Sequence, residues 1–540
     1  MNRPGNGRAG RSIVASLWEP ALVAACLVVG GLFSLRLGPD MNWDLQNYHL
    51  YNPFAFLTNR LSRDFMAADI QSYLNPLLDV PFYLAWTTWF HDRPRFATFL
   101  AGLPYGLAIF LCLRIAQRIL PGPGRLRIVE VLAATVIGVT GSVTISEIGT
   151  TFNDIPIAVL ILGALLVELR CMDNRSWPRL VSGFVVGLAA GLKLTAVVFA
   201  PGMALAIMLT RRRVGQALLD GAAFSLGWLV GLFVGGGWWA WRVYQQFGNP
   251  IFPMFNRVIG SPWFGDVVRD RHFMPHGALE AFFYPFFWDQ GASTVSEVPM
   301  YDPRFAMTYV ALVALIIGGC IFCISKRADR GEARSAIDWR RSAFLCIFFI
   351  VSFAVWEGMF SIVRYIVALE LLSGVVIVLG VRSLCVASMR ESTARLTSSL
   401  VVVVIAVVAI KDTRSMDWGR TQYENVSRLV DSRIVLPDGA VVLLVGRPVA
   451  FILPFISSAN STYVGVDGRT MILPSTSPAI ELIHARLAGA DGNTWVLTNK
   501  SVDEVDALVK SWDLVTKASD CRDLNQSPQQ NVRICPLIKR

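Results

Sequence analysis

Pro76–His91 reads PLLDVPFYLAWTTWFH, and whether it crosses a membrane decides how everything after it is arranged. The stretch is apolar and aromatic, but it is short and is interrupted by Asp79 and Pro81. A spanning helix needs about 17–25 mainly apolar residues. The arginines that follow decide the reading. Arg114, Arg118, Arg125 and Arg127 surround the turn PGPG at 121–124, and basic clusters in short loops mark the cytosolic side. Arg3, Arg8 and Arg11 put the start of the chain on that side too, ahead of a first apolar run at 21–37 with a poor cleavage site. Both loops are cytosolic only if 76–91 stays out of the bilayer. It is expected to lie along the outer surface as an interfacial or re-entrant helix, with Trp86 and Trp89 at headgroup depth.

Composition agrees with a polytopic membrane protein. Of 540 residues, 54% are hydrophobic and 16% charged, against about 25% charged in soluble domains. The net charge of +10 sits in short clusters between apolar runs, and there is no glycine-rich phosphate loop, so no nucleic-acid partner is expected. Most of the nine cysteines, including the Cys320/Cys323 pair, lie in apolar runs and read as packing residues. Cys521 and Cys535 alone have a polar context, and a disulfide between them is permitted outside the cytosol.

The expected fold is mainly α, with about eleven transmembrane helices and a small C-terminal α/β domain. The apolar runs fall near 21–37, 96–119, 128–146, 155–169, 217–237, 305–324, 342–357, 365–382 and 397–411. The run 180–210 is too long for one helix and reads as two short spans, with Gly191-Leu192-Lys193-Leu194-Thr195 at the turn. The inner loops then receive Arg170, Arg175 and Arg179, Arg211–Arg213, Lys326 to Arg341, and Arg382 to Arg395. The membrane domain covers 1–412, with large outer loops at 38–95 and 238–304. From 413 to 540, strands such as Ala440–Val445 and Thr494–Leu497 alternate with helical patterns such as Ser501–Trp512.

The same parity places several chemical groups on one outer face. Asn42–Pro53, NWDLQNYHLYNP, sets Asp44 at a membrane boundary among Trp43, Tyr48, His49 and Tyr51. Asp154, after Asn153 in TTFNDIP, begins a later span, where it serves either as a plain helix cap or as a site carboxylate. Lys193 is an ionisable group inside an apolar run, which marks a functional site unless it merely snorkels. Arg364, in SIVRY, is the other candidate for an anion, because its fork of donors fits phosphate. A lone histidine such as His49 in an aromatic loop is more often structural.

The carboxylate loop after the first helix, NDIP, GLKLT and the outer loop GNPIFPMFN (Gly248–Asn256) together resemble the GT-C class of polytopic glycosyltransferases. The likeness covers about 15–410 and extends to uncharacterised bacterial members and to aminoarabinose- and mannosyl-transferase-like enzymes. It implies inverting transfer from a polyprenyl-phosphate sugar to a glycan, lipid or protein acceptor, at the outer face of a bacterial cytoplasmic (inner) membrane. Asp44 would take the acceptor's proton, with Asp154 sharing or orienting, Lys193 and Arg364 on the donor phosphate, and Tyr48, His49 and Asn153 as accessory groups. Asp69 is the alternative to Asp44. Some members of the class use a divalent metal, but no His/Asp/Glu spacing here fixes one. Asp266, Asp270, His272, His276 and Asp289 are its nearest candidates. Trp263, Phe264, Phe282, Phe283 and Trp288 of that loop would either cover a lipid groove or simply pack at the interface. The competing readings are an O-antigen-ligase or polymerase-type enzyme, which relies on outer arginines and a histidine in a large late loop, and a transporter, whose matching repeats are not found.

Overall fold

The computed structural model describes residues 7–540 except 174–175, 268–270, 289–292, 325–336, 432, 467–472, 475 and 525–530. Arg175, Asp270, Asp289 and the start of the 326–341 loop therefore lie outside the described residues.

Eleven helices occupy the places read from the sequence. They are α1 (Gly7–Leu37), α2 (Pro94–Ile119), α3 (Gly124–Val139), α4 (Asp154–Arg170), α5 (Trp177–Leu192) and α6 (Phe199–Leu209). The others are α7 (Val214–Phe247), α8 (Arg304–Ile324), α9 (Trp339–Met359), α10 (Val367–Ser388) and α11 (Glu391–Asp412). Among the described residues seven are long and apolar enough to cross a membrane, and α3 to α6 are the shorter four. Helix α10 is apolar on every side, so it must be enclosed by protein. It forms the centre of the bundle, 83% buried over its apolar window against 22% for α1. Leu369, Leu371, Leu372, Val376 and Leu379 are sealed inside it.

Helices α5 and α7 pack along a glycine seam. Gly183, Gly187 and Gly191 face Gly227, Gly231 and Gly235, each row at four-residue spacing, which brings one side of each helix to the contact. A Cβ on Gly187 would meet the Trp228 carbonyl, and one on Gly231 the Phe184 carbonyl, so only glycine admits this approach. At the end of the seam Asn75 Nδ2 donates to the carbonyls of both Gly191 and Gly235, at 2.9 Å each. Lys193 follows as the C-cap of α5, extended at φ −140°, and a 3₁₀ turn (Leu194–Val198) leads into α6. The run at 180–210 is thus two short helices with the lysine at their junction.

Pro76–His91 forms two short helical pieces, Val80–Leu84 and Ala85–Trp89, too brief to cross a bilayer. Trp89 is exposed, as expected of an interfacial residue. Trp86 does not offer an exposed ring to an interface. It is 3% exposed, because it packs in a cluster shared with the C-terminal region, including Phe451, Leu453 and Ile534. The aromatics of the large loop divide in the same way. Trp288 is sealed against Phe305 and Trp356 of the bundle and Phe264 is buried, whereas Phe282 and Phe283 remain exposed. Cys320 of the CxxC is a free, exposed cysteine, and the Cys323 side chain lies outside the described ones.

The C-terminal sheet contains β1 (Val441–Val445), β2 (Thr462–Gly465), β3 (Thr494–Thr498), β4 (Leu514–Thr516), β5 (Arg522–Leu524) and β6 (Val532–Lys539). Its order is β2-β1-β3-β6-β4, with β5 also on β6. Strands β1, β2 and β3 run parallel, and β6 is antiparallel to β3. Buried on both faces, the parallel strands read as continuous apolar runs such as VVLLV. The expected disulfide between Cys521 and Cys535 is formed.

The first loop joins this sheet to the bundle. Phe65 pairs with Val464 as an added parallel bridge on the β2 edge, through Phe65 N to Tyr463 O and Gly465 N to Phe65 O. Beside it Asp64 accepts from Arg60, Tyr51 Oη and Tyr463 N, while Arg60 also reaches Ser461 O and stacks on the Tyr463 ring.

Candidate active site

The loop after α1 turns sharply at Gly38, which has φ +85°, and Asp40 then fixes it. The buried Asp40 carboxylate accepts from Asn42 N and Nδ2 and from Thr151 N and Oγ1, tying this loop to the one before α4. Arg420, from beyond α11, clamps the same junction by donating to the carbonyls of Gly38, Ser146 and Ile148. Two loops distant in sequence are thereby held together at one end of the bundle.

Asp44 follows, opening the π-helical turn Leu45–His49. Its Oδ2 accepts from Arg364 Nη1 at 2.7 Å and from Tyr48 Oη at 2.9 Å. Oδ1 accepts no bond among the described residues, and the side chain keeps 11% of its surface exposed. Burial pushes the carboxyl pKa up. The positive charge of Arg364, with His49 and the two hydrogen bonds, more than offsets this and holds it below the usual range. At neutral pH Asp44 is therefore ionised, with one oxygen open.

The second carboxylate is close by. Asp154 is the first residue of α4, the N-cap being Asn153 at φ +65°. Instead of capping the helix, Asp154 Oδ1 pairs with Lys193 Nζ, which also donates to the Phe152 carbonyl at 2.7 Å. Arg364 and Lys193 share aromatic neighbours. Arg364 lies 4.8 Å from the Phe152 ring centre and 5.3 Å from that of Tyr365, and Lys193 lies 5.5 Å from Tyr365. A weaker contact of 3.4 Å joins Arg364 to Glu297. The lysine thus does not snorkel to solvent but is drawn into a four-charge cluster.

His49 Nδ1 and Asn153 Nδ2 both bind Asp79 Oδ1, at 2.7 and 2.6 Å. Asp79 comes from the 76–91 stretch, whose failure to span is what brings it here. Tyr48, His49, Asn153, Asp154, Lys193 and Arg364 therefore all gather around Asp44. Asp69 does not: it sits on the strand Ala67–Ile70 and pairs with Arg447 of the C-terminal region. That removes it as a stand-in for Asp44 at this cluster.

Sequence reasoning missed Asp40, Asp79 and Glu147. Glu147, at the end of a short helix (Ser142–Glu147), is 2% exposed, and neither carboxylate oxygen has a hydrogen-bond partner among the described residues. It feels the charges of Asp154, Lys193 and Arg364. Its only signal in the sequence was an acidic residue one position past an apolar run. No group of three His, Cys, Asp or Glu among the described residues is placed to hold a metal ion, and no step is assigned to one.

A bundle of apolar helices closed by a small mixed sheet matches the GT-C architecture of membrane glycosyltransferases. The profile of glycosyltransferase family 87 matches residues 80–352, and the chain belongs to that family. A search of curated protein sequences finds no match. Among solved structures, ArnT from Cupriavidus metallidurans bound to undecaprenyl phosphate superposes with a TM-score of 0.51 at 14% identity, covering 97% of this chain and 98% of that one. Arabinofuranosyltransferase AftD from Mycobacteria, in a mutant form, gives a TM-score of 0.49 at 14% identity, with 95% of this chain but only 41% of AftD covered. At such identity the likeness to ArnT is one of fold.

Proposed function

We propose that this glycosyltransferase moves a sugar from a polyprenyl-phosphate donor to an acceptor hydroxyl, with inversion, using Asp44 as the base. The open, ionised Oδ1 of Asp44 carries the reading. It can take the acceptor's proton as the hydroxyl oxygen attacks the anomeric carbon. The bond from that carbon to the phosphate oxygen breaks, and the lipid phosphate leaves with the electron pair. In this structure Lys193 is engaged by Asp154, and Arg364 by Asp44 and, more distantly, by Glu297. A phosphate arriving between them can draw both cations, offsetting the charge that grows on the leaving group. Asp154 would then help orient the acceptor, and Asp79 positions His49 and Asn153. ArnT was solved with undecaprenyl phosphate, which supports a donor of this chemistry.

The site is read as facing away from the cytosol of a bacterial inner membrane. The Cys521–Cys535 disulfide belongs to an oxidising compartment, and the arginine-rich turns lie at the other end of the bundle. Mass spectrometry of envelope glycans tests the reading. A deletion strain should lose a sugar residue that wild-type complementation restores, and an unchanged glycan profile contradicts it.

A further inference from the structure

At the end of the bundle opposite Asp44 an open cleft of about 540 Å³ is lined by Glu19, Arg114, Gln117, Arg118, Arg127 and Arg170. Helix α4 measures the separation: Asp154 begins it and Arg170 ends it, about 25 Å away. We infer that this cleft binds the headgroup of an anionic phospholipid.

Four arginines here meet one carboxylate, Glu19, which pairs with Arg114 and more distantly with Arg170. Arg127 is held by the carbonyls of Leu120 and Gln117, so its position is fixed by backbone rather than by an anion. Arg118 is exposed and makes no hydrogen bond or ion pair among the described residues. The cluster is therefore under-neutralised, and it is assembled from α1, α2, α3 and α4 rather than strung along one loop. Basic residues in a loop satisfy topology alone, whereas a concave set drawn from several helix ends is what a phosphodiester needs. The acyl chains have a seat as well. Trp18 precedes Glu19 and is 65% exposed, and Ile128 follows Arg127 and is 58% exposed, so apolar surface begins where the cationic lining stops. This juxtaposition favours a lipid over a soluble acidic protein, and it is independent of the sugar-transfer reading.

Native mass spectrometry of the full-length detergent-purified chain, offered cardiolipin, phosphatidylglycerol and phosphatidylethanolamine in turn, tests this. The anionic lipids should be retained at least about tenfold over phosphatidylethanolamine. Each cation near an anionic headgroup contributes about fivefold in affinity, so R118Q/R170Q should lower retention about 25-fold. R212Q/R213Q, which changes two exposed arginines at the same end outside the cleft, should leave it unchanged. R118Q alone, at an exposed side chain, should give about fivefold if the double variant is unstable. Equal retention of phosphatidylethanolamine, equal effects of the two double variants, or complete displacement of lipid by millimolar inorganic phosphate would each overturn the assignment. So would an acidic protein held in the cleft in place of lipid.

Discussion

Asp44 and Asp64, both buried in the first loop, each pair with an arginine, and the two pairs are built differently. Asp64 has both oxygens occupied: Arg60 reaches each of them, Tyr51 binds Oδ2 and Tyr463 N binds Oδ1. Asp44 has two donors, both on Oδ2, and leaves Oδ1 open. A carboxylate with every oxygen filled is a joint, here between the loop and the C-terminal sheet. One with an oxygen withheld from the protein can act on a substrate. Two residues of the same type, twenty apart in one loop, are separated by how completely the fold satisfies them.

Breaking the joint should produce the largest structural effect. Asp64→Ala leaves Arg60 buried and unpaired, and removing one partner of a buried pair costs about 3–5 kcal/mol. Thermal unfolding in detergent should show a marked fall in midpoint, whereas an unchanged midpoint would mean that the sheet is not fastened through Asp64. The glycine seam provides the next effect. Gly231→Leu must push α7 away from the Phe184 carbonyl, and overpacking of this kind costs about 1–3 kcal/mol. Because the seam ends at Lys193, activity should fall along with stability, and a variant as stable and active as wild type would show that the helices part freely.

Smaller effects separate roles within the site. Lys193→Ala should raise the donor KM more than the acceptor KM, by about tenfold for one charge-assisted contact of about 1.5 kcal/mol. An effect confined to the acceptor would move the lysine out of the phosphate role. The acid limb of the pH–rate profile gives a milder test. Asp44 is held below the ordinary carboxylate value of about 3.9. The stability it contributes is present above about pH 4 and is lost as pH falls through its lower folded value. Transfer should therefore keep its acid limb below pH 4, and a limb near pH 6 would place the base on another group.

Much of this was legible in the sequence because it rested on periodicity and charge parity. Positive residues at the turns fixed the order of eleven helices, and that order alone put Asp44, Asp154, Lys193 and Arg364 at one end. What parity does not reveal is pairing. Nothing in the sequence says that Lys193 meets Asp154, or that Asp69 meets Arg447, because those contacts depend on three-dimensional packing between distant segments. Asp79 was read only as an interruption in an apolar stretch, whereas its carboxylate orders His49 and Asn153. The four-residue glycine spacing of α5 and α7 was not read from the sequence, because its meaning depends on the two helices being partners.

Asp44→Asn separates a base at this position from a purely structural carboxylate. Asparagine keeps the size and can still accept from Arg364, but it cannot take a proton. Purified Asp44→Asn, incubated with a polyprenyl-phosphate sugar and the acceptor identified from the glycan comparison, should transfer about 10²–10⁴-fold more slowly than wild type. Its melting midpoint should fall less than that of Asp64→Ala, because the amide oxygen still accepts from Arg364 and Glu297 remains beside that arginine. Product formed at a rate near wild type by this variant would contradict the account.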